Sequence, residues 1–201
     1  MRLDEVATIH TGLVTARKQA RGLAGNIIQY KKLNLKAISN KGFIEDEFLE
    51  DLEASEKIKP VYITQIGDVI VRLTYPFTAV LIDELHRGLI IPSHFVVIRA
   101  NTKKMIPEYL FWLLNTEKVK KQLQQNINST MIGTVKPMSY ASLNIEQITL
   151  EEQRKIGIIY LLSKKELMLL DRLMEQKELY YKTAIDKIQK GMRESHEDNK
   201  E

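Results

Sequence analysis

The side chains able to do acid–base or metal chemistry are sparse and poorly spaced for it. The 201-residue chain has four histidines, His10, His86, His94 and His196, and none stands in a ligand motif with a second histidine or a suitable carboxylate. There is no cysteine, hence no thiolate ligand, no thiol nucleophile and no disulfide. The patterns G-x-G-x-x-G, G-x-x-x-x-G-K and G-x-S-x-G are absent, as is the N/D-P-P-Y signature of amino-group methyltransferases. Glu175 and Lys177 form an E-x-K triplet, but no acid cluster accompanies them to hold a metal, and a solvated helix face explains them. The sequence therefore predicts a non-catalytic chain with no metal and no cofactor of its own.

What remains is charge. The net charge is +4, and its placement is uneven. Residues 1–41 carry eight Lys/Arg against two acids, residues 42–60 two against seven, and residues 101–150 six against three. A basic face attracts phosphate backbones. A solvated surface is the other reading, and composition alone leaves both open. No apolar run approaches the roughly 20 residues that span a bilayer. The longest, Ile156–Leu162, is seven residues, and the N-terminus lacks a signal-peptide core. A cytoplasmic protein with no membrane partner is expected.

The elements that must carry these charges read as follows. MRLDEVATIHTGL alternates weakly and ends on the turn Thr11-Gly12. Arg17, Lys18 and Arg21 follow in a basic loop among small residues and glycines. Asn26–Leu35 reads as a strand with Lys31 and Lys32 at its middle, and the acidic block EDEFLEDLEASEK as a partly helical surface segment. Residues 61–100 are rich in Val, Ile, Thr and aromatics and are punctuated by Gly67-Asp68, Pro76, Gly88 and Pro92. That pattern predicts several short strands with turns and no intervening helices. Pro107 opens a helix carrying Tyr109, Leu110 and Trp112, and Asn115 or Thr116 caps a second. NSTMIGTVKPMS is a loop by composition, and SLNIEQITL a short extended segment.

The stretch ITLEEQRKIG then starts a long polar run. Thr149 and Glu152 form a T-x-x-E capping box, and Ser163 and Glu166 a second. Two helices are expected, about 151–162 and 164–191, with a break between them. Leu167, Leu170, Met174, Tyr181, Ile185 and Ile188 recur at three- and four-residue steps on the second, interrupted by Lys177 between Met174 and Tyr181. At about 1.5 Å per residue it is roughly 40 Å long. So narrow a stripe on so long a helix calls for a partner helix; folding back on its own domain is the alternative.

The order of these segments resembles the specificity subunit of type I restriction–modification systems. The resemblance spans essentially the whole chain: RLDEVATIHTG, IGDVIV, SHFVVIRAN, PEYLFWLLNTEKVKKQL, a polar loop, then SLNIEQITLEEQRKIG. Its most specific piece is the spacing of Leu143, Ile145, Leu150, Glu152, Gln153 and Ile156. The prolines that often precede the E-Q pair in that family are missing here, which implies a less rigid joint. The resemblance implies an α+β fold: a strand-rich target-recognition domain with a few helices, residues 1–148, then a conserved helical region, 149–192, and a flexible tail, 193–201. It implies a helix that forms an antiparallel coiled coil on dimerisation, acting as a spacer between two half-sites. Family members carry two such domains and two helical regions. This chain carries one of each, implying a homodimer, pairing with another half-chain, or a truncated relic.

The implied function is non-catalytic recognition of a bipartite double-stranded DNA target. Partner methyltransferase subunits hold the S-adenosylmethionine, and added motor–nuclease subunits cut unmodified DNA. DNA contact requires cations for phosphates and hydrogen-bonding side chains for base edges. Candidates are Arg17, Lys18 and Arg21; Lys31 and Lys32; Arg72, Thr74 and Tyr75; His94; and Ser129, Thr130 and Lys136. Dimerisation candidates are Leu167, Leu170, Met174, Tyr181, Ile185 and Ile188. An interaction module that regulates or competes with a full-length specificity subunit is the second reading.

Overall fold

The computed structural model describes residues 1–20, 27–125 and 134–197, with side chains to Gly191. It is an α+β structure whose chain divides into a unit over Met1–Leu161 and a second over Leu162–Glu201. The first is built on a four-stranded antiparallel sheet in the order β1 (Ala7–Thr11), β6 (Phe95–Ala100), β4 (Asp68–Arg72), β5 (Ala79–Leu81). The central strands DVIVR and FVVIRA are almost continuously apolar because both faces of the sheet are covered. Successive residues point to opposite faces. Val69, Val71, Val96 and Ile98 therefore meet the helices α1 (Pro107–Leu114), α2 (Glu117–Gln125) and α3 (Pro137–Ala141). Ile70, Val80, Phe95 and Val97 meet Leu33, Ile38, Ile44 and Ile91 on the other side.

β2 (Ile28–Lys32) pairs antiparallel with β3 (Glu50–Ala54) in a separate two-stranded ribbon. The acidic block thus supplies one 3-10 turn, Asp46–Phe48, and then a strand rather than more helix. Its register explains the preference: Lys31 lies opposite Asp51 and Lys32 opposite Glu50, and opposite charges across a ladder support pairing. At one end of the central strand pair, Asp68 and Arg99 are register partners; the guanidinium donates to both carboxylate oxygens, at 2.8 and 3.1 Å, and to the Ile63 carbonyl at 2.9 Å.

The predicted helix start at Pro107 is observed, and Thr116 Oγ1 accepts from the Val119 amide at 3.4 Å at the start of α2. Asn115 closes α1 instead, its amide nitrogen donating to the Phe111 and Ala79 carbonyls. The expected polar loop turns helical at Pro137, where Tyr140 goes fully into the core. SLNIEQITL pairs only by a bridge between Asn144 and Arg2.

α4 runs unbroken over Leu150–Glu197, so the expected break near Ser163 does not occur. A second capping box in mid-sequence cannot end a helix whose flanking residues are good helix formers. The first box is realised in full: Thr149 Oγ1 accepts from the Glu152 amide at 3.2 Å, and the Glu152 carboxylate accepts from the Thr149 amide at 2.8 Å. The Thr149 hydroxyl also donates to that carboxylate at 2.8 Å, and this bond, then the one from the Thr149 amide, holds Glu152 below the ordinary carboxylate range. The first turns lie against α1 through Gly157, where an added Cβ would come within 2.7 Å of the Tyr109 amide nitrogen. At Gly191 the same atom would meet nothing within 4 Å. Gly157→Ala is therefore expected to cost about 1–3 kcal/mol, lowering the melting temperature followed by circular dichroism, while Gly191→Ala should be neutral or stabilising by up to about 1 kcal/mol. Equal effects of the two would remove the close-approach account.

Candidate nucleic-acid interface

The candidate residues fall into two groups. The first lies along the β2–β3 ribbon. Arg17 ends a 3-10 turn, Thr15–Arg17, and is exposed. Lys18 is ion-paired to Glu56, and its carbonyl accepts from the Ser55 amide at 3.0 Å. The Ala20 amide donates to the Glu53 carbonyl, so the basic loop is stitched along β3. Lys31 reaches Asp51 at 3.4 Å and Lys32 reaches Glu50 at 2.9 Å. Hydrogen bonds from Lys32 and then Asn34 hold the Glu50 carboxyl below its usual range. Lys18 does the same to Glu56. Solvent screens pairs of this kind and they add little to stability, so a phosphate can replace the carboxylate at small cost.

The second group surrounds the β4–β5 turn. The Leu73 amide donates to the His94 carbonyl at 3.1 Å, and the Val135 amide to the Leu73 carbonyl at 2.8 Å. Thr74 bridges to Thr134, which brings Thr74 and Tyr75 close in sequence register to exposed Lys136. Tyr75 is 68% exposed. Arg72 is placed differently from its expected role. Its guanidinium donates to the Leu35 and Ile38 carbonyls, holding the segment that covers the second face of the sheet, and burial pulls its pKa down. In this position it is a structural staple rather than a free bidentate donor. Arg21, Ser129 and Thr130 lie outside the described residues.

His94 sits between the two groups. Its ring is tilted against Phe95 with centroids 4.5 Å apart, and its Nε2 is buried with no hydrogen-bond partner. Burial, then the charge of Lys32, holds the imidazole below its ordinary value, while Glu50 acts in the opposite sense. Among the described residues no three His, Asp or Glu side chains gather as a metal site. No described helix is long and apolar enough to cross a membrane.

On the Leu162–Glu201 unit every residue of the expected stripe is exposed: Leu167, Leu170, Met174, Tyr181, Ile185 and Ile188 are each more than half accessible. A second apolar row went unread in the sequence. Leu162, Leu169, Leu173 and Tyr180 follow at steps of seven, four and seven, and all are exposed. At about 100° per residue this row lies roughly 110° around the axis from the first. Steps of seven and four were the available signal.

No family model and no curated protein matches the chain. Solved structures do. The HsdS subunit from Thermoanaerobacter tengcongensis aligns with a TM-score of 0.60 at 23% identity, covering 89% of this chain and 43% of that one. A chain from a structure of the type I R-M system, concerned with its complex assembly and conformational transition, aligns with a TM-score of 0.60 at 24% identity over the same shares. The protein thus has the fold of part of an HsdS subunit, and it spans less than half the length of these neighbours.

The His94 environment generates a pH prediction. Above the ordinary value of 6.5 the imidazole is neutral whether the chain is folded or not. Below it the unfolded chain takes up a proton that the folded chain resists, so stability falls as the pH drops through 6.5 towards the lower folded value. His94→Phe should flatten that part of the pH–stability curve in urea unfolding. An unchanged slope would assign it to the carboxylates.

Proposed function

We propose that this chain is a non-catalytic DNA sequence-recognition subunit of a type I restriction–modification complex. The observation that carries this reading is the fold shared with an HsdS subunit over 89% of the chain. In this reading residues 1–148 form the target-recognition domain, 149–192 the helical spacer and 193–201 a tail. Arg17, Lys18, Lys31, Lys32 and Lys136 hold phosphates, Thr74, Tyr75 and His94 lie near bases, and the loops with Arg21, Ser129 and Thr130 complete the DNA face. The row Leu167, Leu170, Met174, Tyr181, Ile185 and Ile188 pairs with a second copy, giving a two-fold assembly and a bipartite, palindromic target. The second row, Leu162, Leu169, Leu173 and Tyr180, is left for the methyltransferase subunits, which hold S-adenosylmethionine. A motor–nuclease subunit adds cleavage. The protein works in the cytoplasm.

One observation favours a second reading. Lys18, Lys31 and Lys32 are already paired with carboxylates, and Arg72 with carbonyls. A domain whose cations are so engaged also fits a coiled-coil module that regulates or competes with a full-length specificity subunit.

The test is a genome-wide adenine methylation map of cells co-expressing the chain with a type I methyltransferase subunit. A bipartite palindromic motif that appears only with the chain is expected; no new methylation would favour the regulator. For the helix, Leu170→Lys combined with Ile185→Lys should give a monomer by light scattering, and an unchanged dimer would sink the pairing model. Phosphate-led binding should also weaken steeply with rising salt, whereas binding through the module alone to a protein partner should not.

A further inference from the structure

Of the aromatic rings described in Met1–Leu161, that of Tyr75 is the most exposed, at 68%. It stands on a turn that the fold holds from several sides. The Phe77 amide closes the turn on the Thr74 carbonyl at 2.9 Å, and the Arg72 amide donates to the Thr78 carbonyl at 3.2 Å. Phe77 takes a left-handed backbone, φ 54°, which a bulky residue adopts only when its surroundings impose it. Here its ring is fully buried in the core. Outside the hairpin, the Leu73 amide is bonded to the strand β6 side and the Leu73 carbonyl to Val135. Tyr75 meets Phe77 by a near-perpendicular contact, centroids 6.0 Å apart and planes at 85°. Such a contact occupies at most one face of the phenol ring.

A large ring left bare in water on a rigid mount has the features of a stacking platform for a nucleobase. Thr74 precedes the ring in sequence, and its backbone bridge to Thr134 sets exposed Lys136 two residues further along the facing segment. The ring offers a π-face to a base, and in a duplex a base reaches it only at a step that kinks or unstacks readily, which depends on sequence; its mount loses little freedom on contact. Resting on the DNA-recognition reading above, we infer that Tyr75 stacks on a base of the target, with Lys136 holding a neighbouring phosphate. Tyr75 would then set the affinity for the chosen sequence, while the lysines of the ribbon set the affinity for DNA in general.

The test uses the full chain and duplex DNA. A duplex is first selected by the wild-type protein from a pool with a randomised centre. Its binding is then compared with that of a scrambled duplex for Tyr75→Ala, Tyr75→Leu, Tyr75→Phe and Lys136→Ala. Tyr75→Ala and Tyr75→Leu should weaken the selected duplex about 5- to 100-fold, the worth of one base–aromatic stack. They should leave the scrambled duplex within about twofold, since phosphate contacts carry no sequence information. Tyr75→Phe should retain selection, and Lys136→Ala should weaken both duplexes alike. A 2-aminopurine scan should show one position whose fluorescence change persists in Tyr75→Phe and vanishes in Tyr75→Leu. The variants change an exposed side chain, and unaltered thermal unfolding checks the fold. Wild-type binding of the selected duplex by Tyr75→Ala overturns the inference, as does equal loss on both duplexes. If the wild-type chain selects no sequence and its binding ignores salt, the DNA-recognition reading itself fails, and this assignment with it.

Discussion

The architecture of the first unit turns on one buried amide. Gln153 is 3% exposed, and its side chain is held by three bonds to backbone groups from two directions. Its Oε1 accepts from the Ile106 amide at 2.9 Å, and its Nε2 donates to the Lys104 and Ile148 carbonyls at 3.2 Å. It joins the residue that precedes α1 to the segment that leads into α4. Glutamate at that position would offer no donor to the two carbonyls, and asparagine is one methylene shorter. A buried polar group left without partners costs about 1–3 kcal/mol, so this site tolerates few other residues. The turn of helix around it is fixed by the same logic. Glu152 closes the capping box, Ile156 packs on the core, and Gly157 lets the backbones of α4 and α1 touch. Four residues within one and a half turns thus make four different kinds of contact. The helix start is specified by this combination, although no proline stiffens the segment before it.

This explains which parts of the fold were legible in the sequence. The capping box and the Pro107 start depend on neighbours in the chain, and both are found where their residue types place them. The strands of 61–100 were legible from their composition. What depended on distant partners was not. The acidic block became a strand because Lys31 and Lys32 stand across from it, a fact of register that no window of the sequence contains. The expected break in α4 failed for the opposite reason. A local signal at Ser163 was read as decisive, but nothing outside the helix acts there to stop it.

The candidate site shows the same division. Residue types identified cations and hydroxyls, and the tertiary structure sorted them. Arg72 sits at the end of a central strand, where its side chain points to the covered face alongside Phe95. Its guanidinium therefore went to the carbonyls of Leu35 and Ile38, an outcome decided by strand parity and invisible in composition. Tyr75, three residues on, lies past the ladder and is turned out instead. The acid-paired lysines are a further case. Net charge over residues 1–41 is strongly positive, yet the compensating acids of 42–60 return beside them in space. The ribbon is thus a surface of alternating charge, attractive to phosphate only to the extent that exposed pairs exchange readily.

The two rows on the Leu162–Glu201 unit bear on what a partner must supply. Leu167, Leu170, Met174, Tyr181, Ile185 and Ile188 form one exposed row, and in the proposed pairing a single antiparallel helix would cover a row of that width. It leaves Leu162, Leu169, Leu173 and Tyr180 in water, because a two-stranded contact shields only the side facing the partner. Burying a leucine side chain contributes about 1.5–3 kcal/mol. An isolated helix of this sequence, balanced in charge and carrying both rows, has no internal way to collect that energy. Two rows about 110° apart are the geometry of a helix with two neighbours, as in a bundle, rather than of one strand in a simple coiled coil. On the proposed function, the second row is the face that a partner beyond the paired helix would cover.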